Sequence, residues 1–182
     1  MKNIVLLHGM GETPESFWYP WLAHQLRQRG YAVWAPQLPE ADAPVLTRQL
    51  PFVLDSGKVK PETVIIAHSA GCPLALGVLE RLEQKITQAI LVAGFARPLP
   101  GAEKATPVLQ SQYGWERIKK NVGELIFIHS DNDPWGCDDR EGRYMFDRLG
   151  GMLIVRHGEG HMGSTTYRQP YPDFPLLLKL IS

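Results

Sequence analysis

The residues best placed to do chemistry sit in one stretch. Thr63 to Leu76 reads TVIIAHSAGCPLAL, an apolar, β-branched run that stops at Ala67-His68-Ser69-Ala70-Gly71 and passes straight into a helical pattern. A strand that feeds a helix through small residues on both sides of a serine is a nucleophile elbow, because the backbone is strained at the serine and bulk beside it would clash. A serine hydroxyl is a poor nucleophile by itself. It needs a histidine to take its proton and a carboxylate to hold that histidine's tautomer. Without such partners the same turn is only a strand-to-helix junction whose serine caps the helix.

Both partners are on offer further along. The run Leu125 to His129 ends in Ser130-Asp131-Asn132-Asp133-Pro134-Trp135, with two aspartates in one turn. Asp133 is the expected orienting acid, since it reaches the far side of the turn where Pro134 fixes the backbone, and Asp131 is the reserve. The last apolar run ends in Arg156-His157-Gly158-Glu159-Gly160-His161-Met162-Gly163. A histidine among glycines can fold back towards the sheet's centre, so His161 is the expected base. His157 at the strand end reads as structural, as do His8 and His68 beside backbone turns, His24 on a helix and His129 closing a strand.

Acyl transfer also needs two backbone N–H donors for the developing oxyanion. One belongs to Ala70, the residue after the serine; the other is expected from Met10 in His8-Gly9-Met10-Gly11, with Gly11 the fallback. The same glycines are a poor dinucleotide fingerprint, and no GK[ST] follows them to make a phosphate loop.

The elements that would carry these residues alternate. Six apolar runs, Ile4 to Leu7, Ala32 to Ala35, Thr63 to Ala67, Ala89 to Ala93, Leu125 to His129 and Met152 to Val155, are separated by stretches of helical periodicity. That alternation argues an α/β fold, a parallel sheet with helices on both faces. Helices are expected from Leu22 to Gly30, over Val45 to Leu54, after the elbow, over Trp115 to Lys119 and over Asp138 to Leu149. In the strand order 2-1-3-4-5-6 the first and third strands meet at the topological switch point, where Gly9-Met10-Gly11 and the elbow flank one crevice. The Pro-rich connection Phe95 to Gly114 starts at the carboxyl end of a strand and is expected to wall that crevice. Leu99, Val108, Leu109 and Tyr113 are its candidates for substrate contact, with Gly11 and Trp135 from the flanking loops.

Composition narrows the function classes. The 182 residues carry 19 basic and 19 acidic side chains, a formal net charge of zero, so no global field favours nucleic acid or an anionic membrane surface. One domain over 1–182 is expected, without a separate lid domain. Cys72 and Cys137 lack metal-ligand or CxxC spacing, no apolar run is long enough to span a bilayer and no signal-peptide core follows Met1, so a cytoplasmic location is expected.

Ser69, Asp133 and His161 follow the third, fifth and sixth strands in the chain order of α/β-hydrolase triads. With Trp18-Tyr19-Pro20-Trp21, Ile66 to Gly71, Trp115-Glu116-Arg117-Ile118-Lys119, Ser130 to Pro134 and Gly160-His161, the chain resembles the small serine hydrolases typified by retinoblastoma-binding protein 9 and its YdeN-like bacterial relatives. The resemblance implies a six-stranded α/β-hydrolase sandwich and places the nucleophile on Ser69, the acid on Asp133 and the base on His161. Ala67 stands where that family usually has glycine. The expected activity is hydrolysis of a small-molecule acyl ester, thioester or activated amide through an acyl-enzyme, with no cofactor or metal. The alternative is a protein-binding module that keeps the architecture without turnover, since fold does not fix function.

Overall fold

The computed structural model describes residues 2–181 and contains one six-stranded sheet in the order β2-β1-β3-β4-β5-β6. The strands are β1 Asn3–Leu7, β2 Ala32–Trp34, β3 Thr63–His68, β4 Ile86–Val92, β5 Val122–Ser130 and β6 Met152–Arg156, and every pairing is parallel. A parallel sheet covered on both faces makes its central strands continuous apolar runs. Accordingly every residue of β3 is buried, whereas β2 and β6, at the edges, are only partly so.

The helices are α1 Tyr19–Gln28, α2 Leu46–Leu54, α3 Gly71–Arg81, α4 Trp115–Lys120, α5 Asp139–Leu149 and α6 Pro175–Leu180. Helix α1 packs on α6, while α2, α3, α4 and α5 pack each on the next, giving one layer on each side of the sheet. Right-handed crossovers demand this split, because β1 to β2 runs one way across the sheet and all later connections run the other. Helix α3 lies at the centre of the larger layer, with nine of its eleven residues, from Gly71 to Leu79, buried. Pro20 opens α1 and Gly30, at φ 82°, follows its end; Asp138 caps α5 by accepting from the Arg140 N–H at 2.9 Å.

Three local features depart from the sequence reading. Strands β4 and β5 begin earlier, at Ile86 and Val122, where the two pair with each other. Residues Glu103–Val108 make a 3-10 helix inside the long connection, too short to show periodicity. Helix α6 was not anticipated; Phe174 before it is buried against Trp18, with ring centroids 5.8 Å apart.

Candidate functional site

At the end of β3 the chain turns through Ser69 at φ 51°, a left-handed conformation that a residue with a Cβ adopts only under constraint. The constraint is hydrogen-bonded on both sides: Ser69 N–H donates to the Val92 carbonyl at 3.0 Å, and Cys72 N–H donates to the Ser69 carbonyl at 2.9 Å. Gly71 is compulsory for a second reason. A Cβ there would lie 2.4 Å from the Leu7 carbonyl oxygen and 2.8 Å from that of His8. Both are backbone atoms that no rotamer change can move, so Gly71→Ala should destabilise the fold by about 3 kcal/mol. Thermal unfolding should then occur roughly 6–12 °C lower.

That close approach brings the loop after β1 against the elbow. Among the described residues the Met10 and Ala70 N–H groups have no protein acceptor, and both residues line one cleft with Ser69. The fallback donor is closed: Gly11 N–H is spent on the Ala41 carbonyl at 2.8 Å. Gly9 N–H donates to Glu12 Oε2 at 2.7 Å, which fixes the loop.

On the opposite wall, His161 Nδ1 donates to Asp133 Oδ2 at 2.7 Å, and Asp133 Oδ1 accepts from the Trp135 N–H at 2.8 Å. Both side chains are buried, while the ring of His161 reaches the cleft that Ser69 lines. The loop that carries the histidine is anchored at several points. Gly160 N–H donates to Asn132 Oδ1 at 2.8 Å, His161 N–H to Gln169 Oε1 at 2.9 Å, and Trp18 Nε1–H to the Met162 carbonyl at 3.0 Å. Asp131 is occupied elsewhere, on the surface, by His157 Nδ1 at 2.5 Å and Gly158 N–H at 2.9 Å. The Gly158 N–H and the imidazole hold its carboxyl below the ordinary range.

The cleft encloses about 80 Å³, several times the space one water needs. Its apolar wall is Phe95, Leu99, Ala102, Ala105 and Trp135. Leu99 and Trp135 are therefore where the sequence reading expects them, and Gly11, Leu109 and Tyr113 are not. The 3-10 turn at Glu103–Val108 presents Ala105 to the cleft and buries Val108 in the core, after which the chain runs back along α3. There Gln110 bonds Arg81 and Glu80, at 2.8 and 2.7 Å, and Tyr113 stacks on Trp115 at 4.9 Å between ring centroids.

The sequence reading also missed Phe95, Ala102, Ala105, Cys137, Glu12, Gly163, Ser164 and Thr166 as cleft residues. Phe95 lies three residues past the carboxyl end of β4, which is a usable signal; the others depend on loop paths that carry none. Asp133, Cys137 and His161 each bring one ligand atom within 4.8 Å of the others. Burial pushes the Cys137 thiol well above its ordinary pKa, so it stays neutral beside a carboxylate and an imidazole that already bond each other.

The chain is similar throughout to known proteins. It is 28% identical to YdeN of Bacillus subtilis (strain 168) over 135 residues, 72% of this chain and 71% of that protein, and 28% identical to the serine hydrolase RBBP9 of Rattus norvegicus over 171 residues, 91% and 89%. The crystal structure of the ydeN gene product from B. subtilis superposes with a TM-score of 0.91 at 23% identity, covering 99% of this chain and 96% of that one. A family model described as serine hydrolase matches residues 4–179. Because that match spans almost the whole length of the chain, the chain belongs to the serine hydrolase family.

Proposed function

We propose that the protein is an esterase that transfers short acyl groups from small-molecule esters to water. One observation carries this reading: Ser69, the Asp133-backed His161, and the unpartnered N–H groups of Met10 and Ala70 all meet in a single small, apolar cleft. Ser69 Oγ attacks the ester carbonyl carbon while His161 Nε2 takes its proton, and the carbonyl oxygen, now an anion, accepts from the two backbone donors. Collapse expels the alcohol, to which the imidazolium returns the proton. Water, deprotonated by the same nitrogen, then attacks the acyl-enzyme and releases the acid. Asp133 keeps the His161 proton on Nδ1, leaving Nε2 free to accept, and stabilises the imidazolium that forms. Each oxyanion donor contributes about 3 kcal/mol to the transition state. The two buried free thiols, Cys72 and Cys137, suit a reducing compartment such as the cytoplasm.

The cleft volume sets the substrate prediction. Across p-nitrophenyl esters of rising chain length, kcat/KM should be highest for acetyl to butyryl and fall at least about tenfold by octanoyl, because methylenes that do not fit the roughly 80 Å³ of enclosed space gain no burial and crowd its walls. A fluorophosphonate probe should label the protein stoichiometrically. Folded protein that neither labels nor turns over any ester would refute the reading and favour a binding module.

A further inference from the structure

From the edge of the cleft, at Glu12, a chain of polar groups that the hydrolytic steps do not use runs into the core. Glu12 Oε2 accepts from Gly9 N–H at 2.7 Å and lies 2.5 Å from Tyr19 Oη; Tyr19 Oη lies 2.7 Å from His68 Nδ1; His68 Nε2 lies 2.9 Å from the His161 carbonyl oxygen. Tyr19 and His68 are sealed from solvent and Glu12 nearly so, under the rings of Phe17 and Trp18. The two ends of this chain are the loop that carries the Met10 donor and the backbone of the base. Local sequence explains only part of the arrangement, since positions 9, 12 and 19 share one stretch while 68 and 161 come from distant ones.

Donor and acceptor bookkeeping restricts its protonation. The His161 carbonyl can only accept, so His68 Nε2 carries a proton. With the Tyr19 phenol neutral, the remaining two links, Nδ1 to Oη and Oη to Oε2, are both satisfied in only two ways. Either Nδ1 is also protonated and both of these bonds run towards an ionised Glu12, or Glu12 is protonated and both run the other way. The geometry favours the first, because Glu12 Oε2 also accepts from the Gly9 N–H at 2.7 Å and stands 3.3 Å from His68 Nδ1, contacts that suit a carboxylate facing a protonated imidazole. Burial works against charge on both groups, yet the hydrogen bonds and mutual attraction outweigh it, holding the Glu12 carboxyl below its ordinary pKa and the His68 imidazole above its own. The other titratable groups near the pair fit this choice. His8 is held low by burial and stays neutral, Tyr19 and Cys72 are pushed up by burial and stay neutral, and the Asp133 carboxylate favours a cation at His68. The His161 ring stands 4.9 Å from that of His68 between centroids.

We propose that Glu12, Tyr19 and His68 are positioning residues, an ionised hydrogen-bonded brace that holds the oxyanion-donor loop at a set distance from the loop bearing the base. The inference rests on the acyl-transfer reading of the cleft. A brace of this kind acts on the transition state and not on substrate binding, because a donor that is misplaced by a fraction of an ångström weakens the bond to the oxyanion more than that to the neutral carbonyl. It holds the Gly9 N–H directly and Met10 through it, while Trp18 and Gln169 steady the other end independently.

The test takes the full chain with Glu12→Gln and Tyr19→Phe. Glu12→Gln keeps the volume and removes the charge, so kcat for p-nitrophenyl acetate should fall about ten- to thirtyfold with KM within twofold; Tyr19→Phe, which leaves Glu12 3.3 Å from His68 Nδ1, should cost about threefold in the same pattern. In 15N spectra of histidine-labelled wild type at pH 7, His68 should show two protonated ring nitrogens, and in Glu12→Gln only Nε2 should remain protonated. A purely structural role would lower the melting temperature while leaving kcat of the folded enzyme unchanged, and that result overturns the proposal. So does a singly protonated His68 in wild type, a measurement that stands even if Glu12→Gln does not fold. If wild type itself neither labels with fluorophosphonate nor turns over, the acyl-transfer reading fails, and the brace's catalytic role falls with it whatever the spectra show.

Discussion

Ser69→Ala should abolish fluorophosphonate labelling and lower kcat for p-nitrophenyl acetate by on the order of 10^4- to 10^6-fold, about 5–8 kcal/mol of transition-state stabilisation. Removing Oγ takes away the atom that forms the acyl bond, while the Met10 and Ala70 donors stay in place, so a small residual rate above water is expected. The substitution also separates chemistry from strain. Ser69 holds φ 51°, and alanine must hold it too, whereas glycine adopts it freely. Ser69→Gly should therefore be as inactive as Ser69→Ala but more stable by about 1 kcal/mol, read as a melting temperature roughly 2–4 °C higher. Equal stability of the two would mean that the elbow stores no strain at the serine. Retained labelling in either would mean that another residue is the nucleophile.

The strand order was legible because parallel strands buried on both faces are forced to be unbroken apolar runs, and β3, β4 and β5 each read that way. The polar residues at their carboxyl ends fall at one edge of the sheet by topology alone, which is why chain order groups Ser69, Asp133 and His161, residues that the fold brings to one cleft. Legibility stopped where position depends on the path of a loop. Leu109 and Tyr113 lie in the connection expected to wall the cleft, yet a single 3-10 turn sends them along α3 instead. Gly11 offers a backbone N–H as good in principle as that of Met10, and only the Ala41 carbonyl, from a loop thirty residues on, decides against it. His68 reads as a residue beside a turn. Its pairing with Glu12 and Tyr19 joins two distant stretches through packing, and no spacing in the sequence encodes that.

The two aspartates of the β5 turn divide the second large effect cleanly. Asp133→Asn should reduce kcat by roughly 10^4-fold and slow fluorophosphonate labelling in parallel, with little change in KM. The direction follows from how the side chain is held. Asp133 Oδ1 accepts from the Trp135 N–H at 2.8 Å, and an asparagine keeps that bond by leaving its oxygen there, which points its amide nitrogen at His161 Nδ1 in place of Oδ2. An amide N–H facing Nδ1 favours the tautomer with Nδ1 bare and the proton on Nε2, so the imidazole can no longer take the serine's proton. Both side chains are buried, and no water can readily restore the right tautomer. Asp131→Asn should leave kcat within twofold, because Asp131 serves only the exposed His157 and the Gly158 N–H at the surface. If the two variants exchanged these outcomes, the acid would be Asp131, and the loop after β6 would have to rearrange so that its histidine met the surface carboxylate; if Asp133→Asn were harmless, His161 would be oriented by some other group or would not be the base.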